Sequence, residues 1–194
     1  KVVVRRAEAG SKFVTLDGVE HTLDAADLMI CDAREPRCIA GVFGGMDSGV
    51  TEETTSVFIE SAYFNPTSVR KTARRHGLNT DASFRYERGA DPNITMYILR
   101  LAALMVKELA GGTITGPVSD VYPSPILPAE VNLKYDYVNS LIGKHIPAET
   151  VISILESLEM TDIKATDTEV SFKVPTYRVD VTRPCDVVED VLRI

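Results

Sequence analysis

A chain of 194 residues, 44% hydrophobic and 25% charged, has the length for one large or two small domains and the apolar content to bury a core, which excludes a disordered polymer. Its net charge is −7, no apolar run approaches the ~20 residues of a bilayer crossing, and the N-terminus lacks the regions of a signal peptide. Cys31, Cys38 and Cys185 are odd in number and form no C-x-x-C pair, which argues against a disulfide framework or zinc site and for a reducing, cytoplasmic setting.

The chain opens directly into Val2, Val3 and Val4, a strand already under way, and stops at Ile194 inside an apparent helix, as an excised fragment would. Lys12 to Leu16 and Glu20 to Leu23 flank Asp17 and Gly18, the dipeptide of a two-residue hairpin. Leu28 to Cys31 and Cys38 to Val42 are further strands, and Val57 to Phe64 reads as another. A helix is expected over Pro66 to His76. A second follows, with Asp91 as N-cap, Pro92 at its first position, apolar residues at 94, 97, 98, 101, 104 and 105, and Gly111 past its end. Its apolar stripe calls for a sheet to cover.

Pro123, Pro125 and Pro128 mark a linker, placing one module at residues 1–121 and a second at 127–194. The second module reads as a strand at Val131 to Leu133, a helix from Tyr135 to Ile142 stopped by Gly143, a helix opening at Pro147, a hairpin of 162–165 with 169–174, and a last helix from Pro184. The expected fold class is α+β: a sheet-rich module with packed helices, then a small winged-helix-like module with an acidic C-terminal helix. The second module is not basic, which argues against DNA binding.

Four features carry candidate chemistry. Between Arg70 and Arg88 there are six Lys or Arg (70, 71, 74, 75, 85, 88) against two acids (81, 87), so an acidic chain holds a basic segment. It either meets an anion such as phosphate, or its arginines pair with nearby carboxylates. Gly41, Gly44, Gly45 and Gly49 let the backbone turn sharply or approach a ligand, without matching a dinucleotide or phosphate-loop motif. Glu60 interrupts an apolar strand, where an unpaired carboxylate is costly, so it lines a wet pocket or meets a donor such as one of those arginines. Asp180, Asp186, Glu189 and Asp190 converge if a helix starts near Pro184: either they share a hard dication, or the helix dipole stabilises them without one. His21, His76 and His145 show no nucleophile or metal-ligand spacing.

These segments resemble the β subunit of bacterial phenylalanyl-tRNA synthetase. The resemblance rests on IAGVFGGMDSGV (39–50), IESAYFNP (59–66), ARRHGLNTDASFRYERGAD (73–91) and YRVDVTRPCDVVEDVLRI (177–194). It implies that residues 1–121 are most of an editing module that hydrolyses mischarged tyrosyl-tRNA(Phe), needed because a site shaped for phenylalanine rejects tyrosine by only about a hundredfold. It also implies a catalytic α subunit, an α2β2 assembly, and use of ATP in the complete enzyme. The editing residues implied by motif are Gly41, Gly44, Glu60, Thr80 and Ala82. Glu60 would accept the tyrosine hydroxyl's hydrogen bond, and Gly44, Thr80 and Ala82 would shape the walls. The family's pocket histidine lies upstream of Lys1, so neither His21 nor His76 takes its role. Magnesium would be held by Asp180, Asp186, Glu189 and Asp190 near the α-subunit interface of the full enzyme, with Asp190 standing where Glu is usual. The rival reading is a non-catalytic RNA-binding and subunit-assembly module.

Overall fold

Short runs that alternate apolar and polar residues become strands in the computed structural model, which describes residues 1–194. In the first half, β1 (Val3–Arg6), β4 (Leu28–Cys31), β5 (Pro36–Ile39) and β6 (Phe43–Gly44) form an antiparallel sheet in the order β1-β4-β5-β6. A separate hairpin joins β2 (Lys12–Val14) to β3 (Glu20–Thr22). Asp17 and Gly18 lie in its loop as expected, but the loop is longer than two residues, because Thr15 folds back through its carbonyl to the Gly18 N–H. Met29, Ile39 and Val42 are fully buried under the sheet, each worth about 1.5–3 kcal/mol of transfer free energy.

The helix α1 (Pro66–His76) has the expected bounds, each with a local cause. Asn65 accepts a hydrogen bond from the Ser68 N–H at 3.0 Å, Pro66 needs no donor, and Gly77 adopts φ 65° and closes the C-terminus. Val69, Thr72 and Ala73 are its buried face. A short helix, α2 (Asp81–Glu87), follows; Thr80 and Ser83 cap it reciprocally.

Asp27, just before β4, joins sheet to helix. Its carboxylate is fully buried and accepts hydrogen bonds from Thr72 Oγ1 (3.0 Å), His76 Nε2 (2.6 Å), the Asp24 N–H (2.9 Å) and the Arg75 guanidinium. Burial pulls its pKa upward, but the hydrogen bonds from Asp24, His76 and Thr72 outweigh that and hold it below the ordinary carboxylate range.

Two expectations are corrected here. Val57 to Phe64 forms no strand, since none of its residues enters a sheet ladder. The long helix α3 runs Thr95–Ala110 and does not start at Pro92. Asp91 spends its carboxylate on the Asn93 N–H (3.0 Å) and the Thr176 hydroxyl (2.6 Å) instead of capping the helix. The stripe of α3 is also uncovered: none of its residues is buried, and Tyr97, Leu104 and Leu109 are 64%, 58% and 81% exposed. The sheet already receives Val69 and Ala73 from α1.

Chain packing separates Lys1–Ala90 with Thr95–Thr115 from Asp91–Ile94 with Gly116–Ile194. Residues 91–94 join the second unit through Asp91 to Thr176 and through Asn93 to Tyr122, Ile126 and Thr176. In that unit β7 (Ala129–Lys134), β8 (Thr161–Ala165) and β9 (Glu169–Val174) form an antiparallel sheet ordered β7-β9-β8. Against it pack α4 (Tyr135–Ile142), α5 (Ala148–Ser157) and α6 (Pro184–Arg193), around Leu133, Val138, Val151, Leu155, Val170 and Val187. Two helices followed by a hairpin match the expected order, and the whole chain is mixed α+β. No helix is long and apolar enough to cross a membrane.

Asp27→Ala should destabilise the chain by about 3 kcal/mol in urea unfolding, near the lower end for breaking a buried charged network, because Arg75 retains partial contact with water. The sign of the pH dependence follows from the lowered pKa. The carboxylate's contribution is present above its unfolded value and is lost as pH falls below ~4 toward the folded value, so the wild-type midpoint should drop more steeply in acid than that of the variant.

Candidate functional site

The glycine loop begins at a reversal between β5 and β6. The Val42 N–H reaches the Ile39 carbonyl (2.9 Å), and Gly41 takes φ 68°, a conformation that L residues resist. A Cβ at Gly41 would stand 2.9 Å from Phe64 and 3.1 Å from Val69, so no larger residue fits without displacement. Thr80 secures the same turn from the other side, its hydroxyl donating to the Val42 carbonyl at 2.6 Å. Gly44 differs, since a Cβ there would meet nothing within 4 Å.

A cavity of about 560 Å³, within the ~300–1,000 Å³ typical of small-molecule sites, lies at the other end of β5. Cys38 and Arg37 from β5, Gly49 and Val50 after the glycine loop, and Phe58 and Glu60 from the unpaired segment line it. Arg37 is held at the rim by Asp32 through Nε (3.0 Å) and Nη2 (2.8 Å). Hydrogen bonds from the Glu35 and Arg34 N–H groups, and then from Arg37, hold the Asp32 carboxyl far below its ordinary pKa.

Glu60 enters no hydrogen bond and no ion pair. No cation of the basic segment that sequence reasoning offered as its donor pairs with it: Arg75 goes to Asp27, and Arg88 goes to Glu87 (2.9 Å) and stacks on the Phe84 ring at 3.5 Å. The Glu60 residue is open to water, yet the protein crowded around its carboxylate raises its pKa. Its charge is felt nearby. Burial pushes the Cys38 thiol up to about 12, with Glu60 adding to the shift, and Tyr86 is raised by burial and then by Glu60. The Tyr86 ring packs on Phe64 (5.1 Å), and its hydroxyl donates to the Ala62 carbonyl (3.0 Å).

Of the five candidate editing residues, Glu60 lines the cavity and the other four do not. Gly41 and Thr80 meet at the Val42 turn. Gly44 pairs with Cys38, which does line the cavity, and Ala82 is exposed in the first turn of α2. Sequence reasoning used Cys38 as a sign of a reducing setting and not as a site residue; its place next to Arg37, in a stretch ending at the glycine loop, was the signal available.

The four acidic candidates sit on and before α6 but do not gather around a point, and no group of three or more His, Cys, Asp or Glu residues is placed to hold a metal ion. Three have cationic partners: Asp186 with Arg183 (2.8 Å), Asp190 with Arg178 (2.9 Å) and Glu189 with Arg193 (3.1 Å). Asp186 also accepts from the Thr182 and Arg183 N–H groups, and the Arg183 side chain, then these N–H groups, hold its pKa far down. Asp180 is exposed in the turn before the helix. Arranged as salt bridges and a helix cap, these residues do not fit a cation.

Comparison with known proteins adds the following. A B3/4 domain model matches residues 1–111, and a tRNA synthetase B5 domain model matches residues 131–194. Over its full length the chain is 62% identical to the phenylalanine–tRNA ligase β subunit of Bacteroides fragilis, 54% to that of Porphyromonas gingivalis and 42% to that of Geobacter sulfurreducens. It spans 24% of the length of each of these relatives. An N-terminal fragment of the phenylalanyl-tRNA synthetase β subunit from Pyrococcus horikoshii aligns with 99% of this chain and 55% of its own, at 15% identity and a TM-score of 0.47, too distant for comparison of residues.

The coupling of Cys38 to Glu60 is measurable. Cys38 should react slowly with iodoacetamide near neutral pH, because the thiolate is the nucleophile and a pKa of about 12 leaves little of it. Glu60→Gln removes a negative charge and should speed Cys38 alkylation and move its pH profile downward, read by mass spectrometry of the labelled peptide. Unchanged kinetics would place the carboxylate too far from the thiol to act on it.

Proposed function

Because the chain belongs to the family of bacterial phenylalanine–tRNA ligase β subunits, as a B3/4 domain followed by a B5 domain, we propose that its first module, residues 1–121, edits mischarged tRNA(Phe). The module at 127–194 then serves the assembly. The substrate is the tyrosyl ester of the tRNA 3′ end and the reaction is hydrolysis: water adds to the ester carbonyl, the ribose oxygen leaves with a proton, and free tyrosine and tRNA(Phe) result. The observation that carries this reading is the Glu60 carboxylate, without a protein partner and facing a cavity of about 560 Å³.

Glu60 distinguishes the two amino acids by what each donates. The tyrosine hydroxyl gives it a hydrogen bond, worth about 1.5–3 kcal/mol to a charged acceptor, and phenylalanine leaves the carboxylate with water alone. Gly41 and Thr80 act from behind, holding the turn between β5 and β6, Gly44 stands opposite the cavity-lining Cys38 in the strand ladder, and Ala82 lies away from the cavity on α2. No side chain is placed as a general base. Hydrolysis is therefore assigned to orientation of the ester and a bound water, assisted by backbone donors and the terminal ribose hydroxyl. ATP and magnesium belong to the synthetic reaction of the complete enzyme, in the cytoplasm with an α subunit in an α2β2 assembly, and no step of the hydrolysis uses them.

Glu60→Gln and Glu60→Ala in the complete ligase should each lower the preference for tyrosyl over phenylalanyl esters in deacylation, by about ten- to a hundredfold, while phenylalanylation persists. Selectivity that survives both substitutions would remove Glu60 from the role. Magnesium titrated into this chain alone should give no stoichiometric heat in calorimetry, since Arg183, Arg178 and Arg193 occupy the acidic helix.

A further inference from the structure

The solvent face of α1 has no use in the hydrolysis. At ~100° per residue, Arg70, Lys71, Arg74 and Arg75 fall within an arc of ~140°, with Thr67 inside it, on the side opposite the buried Val69, Thr72 and Ala73. The helix carries no acid. Arg75 is committed to Asp27 and Asp24, but Arg70, Lys71 and Arg74 are exposed and take part in no ion pair.

This arrangement works against the helix itself. Arg70 with Arg74, and Lys71 with Arg75, are like charges at i,i+4, which weaken a helix. The helix dipole rewards Arg74 and Arg75 in the last turn, but it does not account for Arg70 and Lys71 in the middle. Beside them lies a cleft of about 270 Å³ lined by Arg6, Asn65, Thr67, Ser68, Lys71 and Arg75, with Ala26 and Thr72. All of these side chains but that of Ala26 can donate a hydrogen bond, and none is acidic. Protein-docking surfaces centre on aromatic and aliphatic anchors, which this face lacks; donors and cations alone are the chemistry of phosphate recognition.

We propose that the exposed face of α1 and the cleft beside it form a phosphodiester-binding track for the backbone of an RNA, contacting phosphates without reading bases. The inference rests on the editing reading for the identity of that RNA, a tRNA whose acylated end is the substrate. Arg70, Lys71 and Arg74 supply the charge, and the Thr67 and Ser68 hydroxyls and the Asn65 amide supply neutral donors.

The test is the salt dependence of binding of deacylated tRNA(Phe) to the complete ligase. With ~0.7–0.9 counterions released per phosphate contact, Arg70→Ala/Lys71→Ala/Arg74→Ala should bind more weakly at low salt and lose about 20- to 40-fold less affinity than wild type between about 50 and 200 mM salt. Arg70→Lys/Arg74→Lys should keep the wild-type slope. If the triple variant does not fold, single Arg70→Ala and Lys71→Ala enzymes should each flatten the slope by about 0.7–0.9. An unchanged slope overturns the track. So does an unchanged slope with early melting or loss of the partner subunit, which would make this face a protein interface. Deacylation separates the two ideas: the triple variant should raise KM for tyrosyl-tRNA(Phe) and leave kcat unchanged. A wild-type ligase that hydrolyses no tyrosyl-tRNA(Phe) refutes the editing reading, and the salt slope still decides the track.

Discussion

A carboxylate that never meets water organises the first unit. Asp27 lies between the hairpin and the central strand β4, and it draws Thr72, Arg75 and His76, all on the second half of α1, onto one point. Burying an ion is tolerable only when its lone pairs are filled, and here four donors fill them. The angle of α1 on the sheet is thereby set by polar contacts as well as by Val69 and Ala73. That angle in turn brings Val69 against Gly41 and turns the helix's cationic side outward. The core packing, the tight glycine turn and the basic face are consequences of one satisfied network.

Two groups of acids singled out by the sequence end in opposite states. On α6 each of Asp186, Glu189 and Asp190 is matched by an arginine, an arrangement that is electrostatically closed. Glu60 is left without a partner, and its surroundings raise its own pKa and those of Cys38 and Tyr86 together. Glu60, which lines a cavity and has no protein partner, is an acceptor left available to something that is not part of the fold.

What could be read from the sequence was what is locally caused. Asn65, Pro66 and Gly77 bracket α1 at its observed ends, Gly143 stops α4, and the hairpin of β8 and β9 lies where alternation put it. What escaped was set from a distance. Asp91 reads as an N-cap until Thr176, eighty-five residues on, claims its carboxylate. Val57 to Phe64 has the composition of a strand, but strand formation needs a partner edge, which composition does not reveal. The Asp27 network spans 45 to 49 residues and left no pattern in the chain. In the site, Glu60 stood out because a charge in an apolar run is costly. Cys38 did not, because its raised pKa comes from burial and then from lying near that charge, neither of which the sequence shows.

The uncovered helix α3 sets an order of opening within the chain. Its sixteen residues bury nothing, so its backbone hydrogen bonds are protected by little besides the helix itself, and isolated helices of that length are marginal in water. The strands that carry the fully buried Met29 and Ile39 are expected to open at a higher cost. Amide hydrogens along α3 should therefore exchange with solvent through local fraying of the helix, while those of β4 and β5 should exchange more slowly, so the first unit holds a packed sheet and one helix that melts by itself.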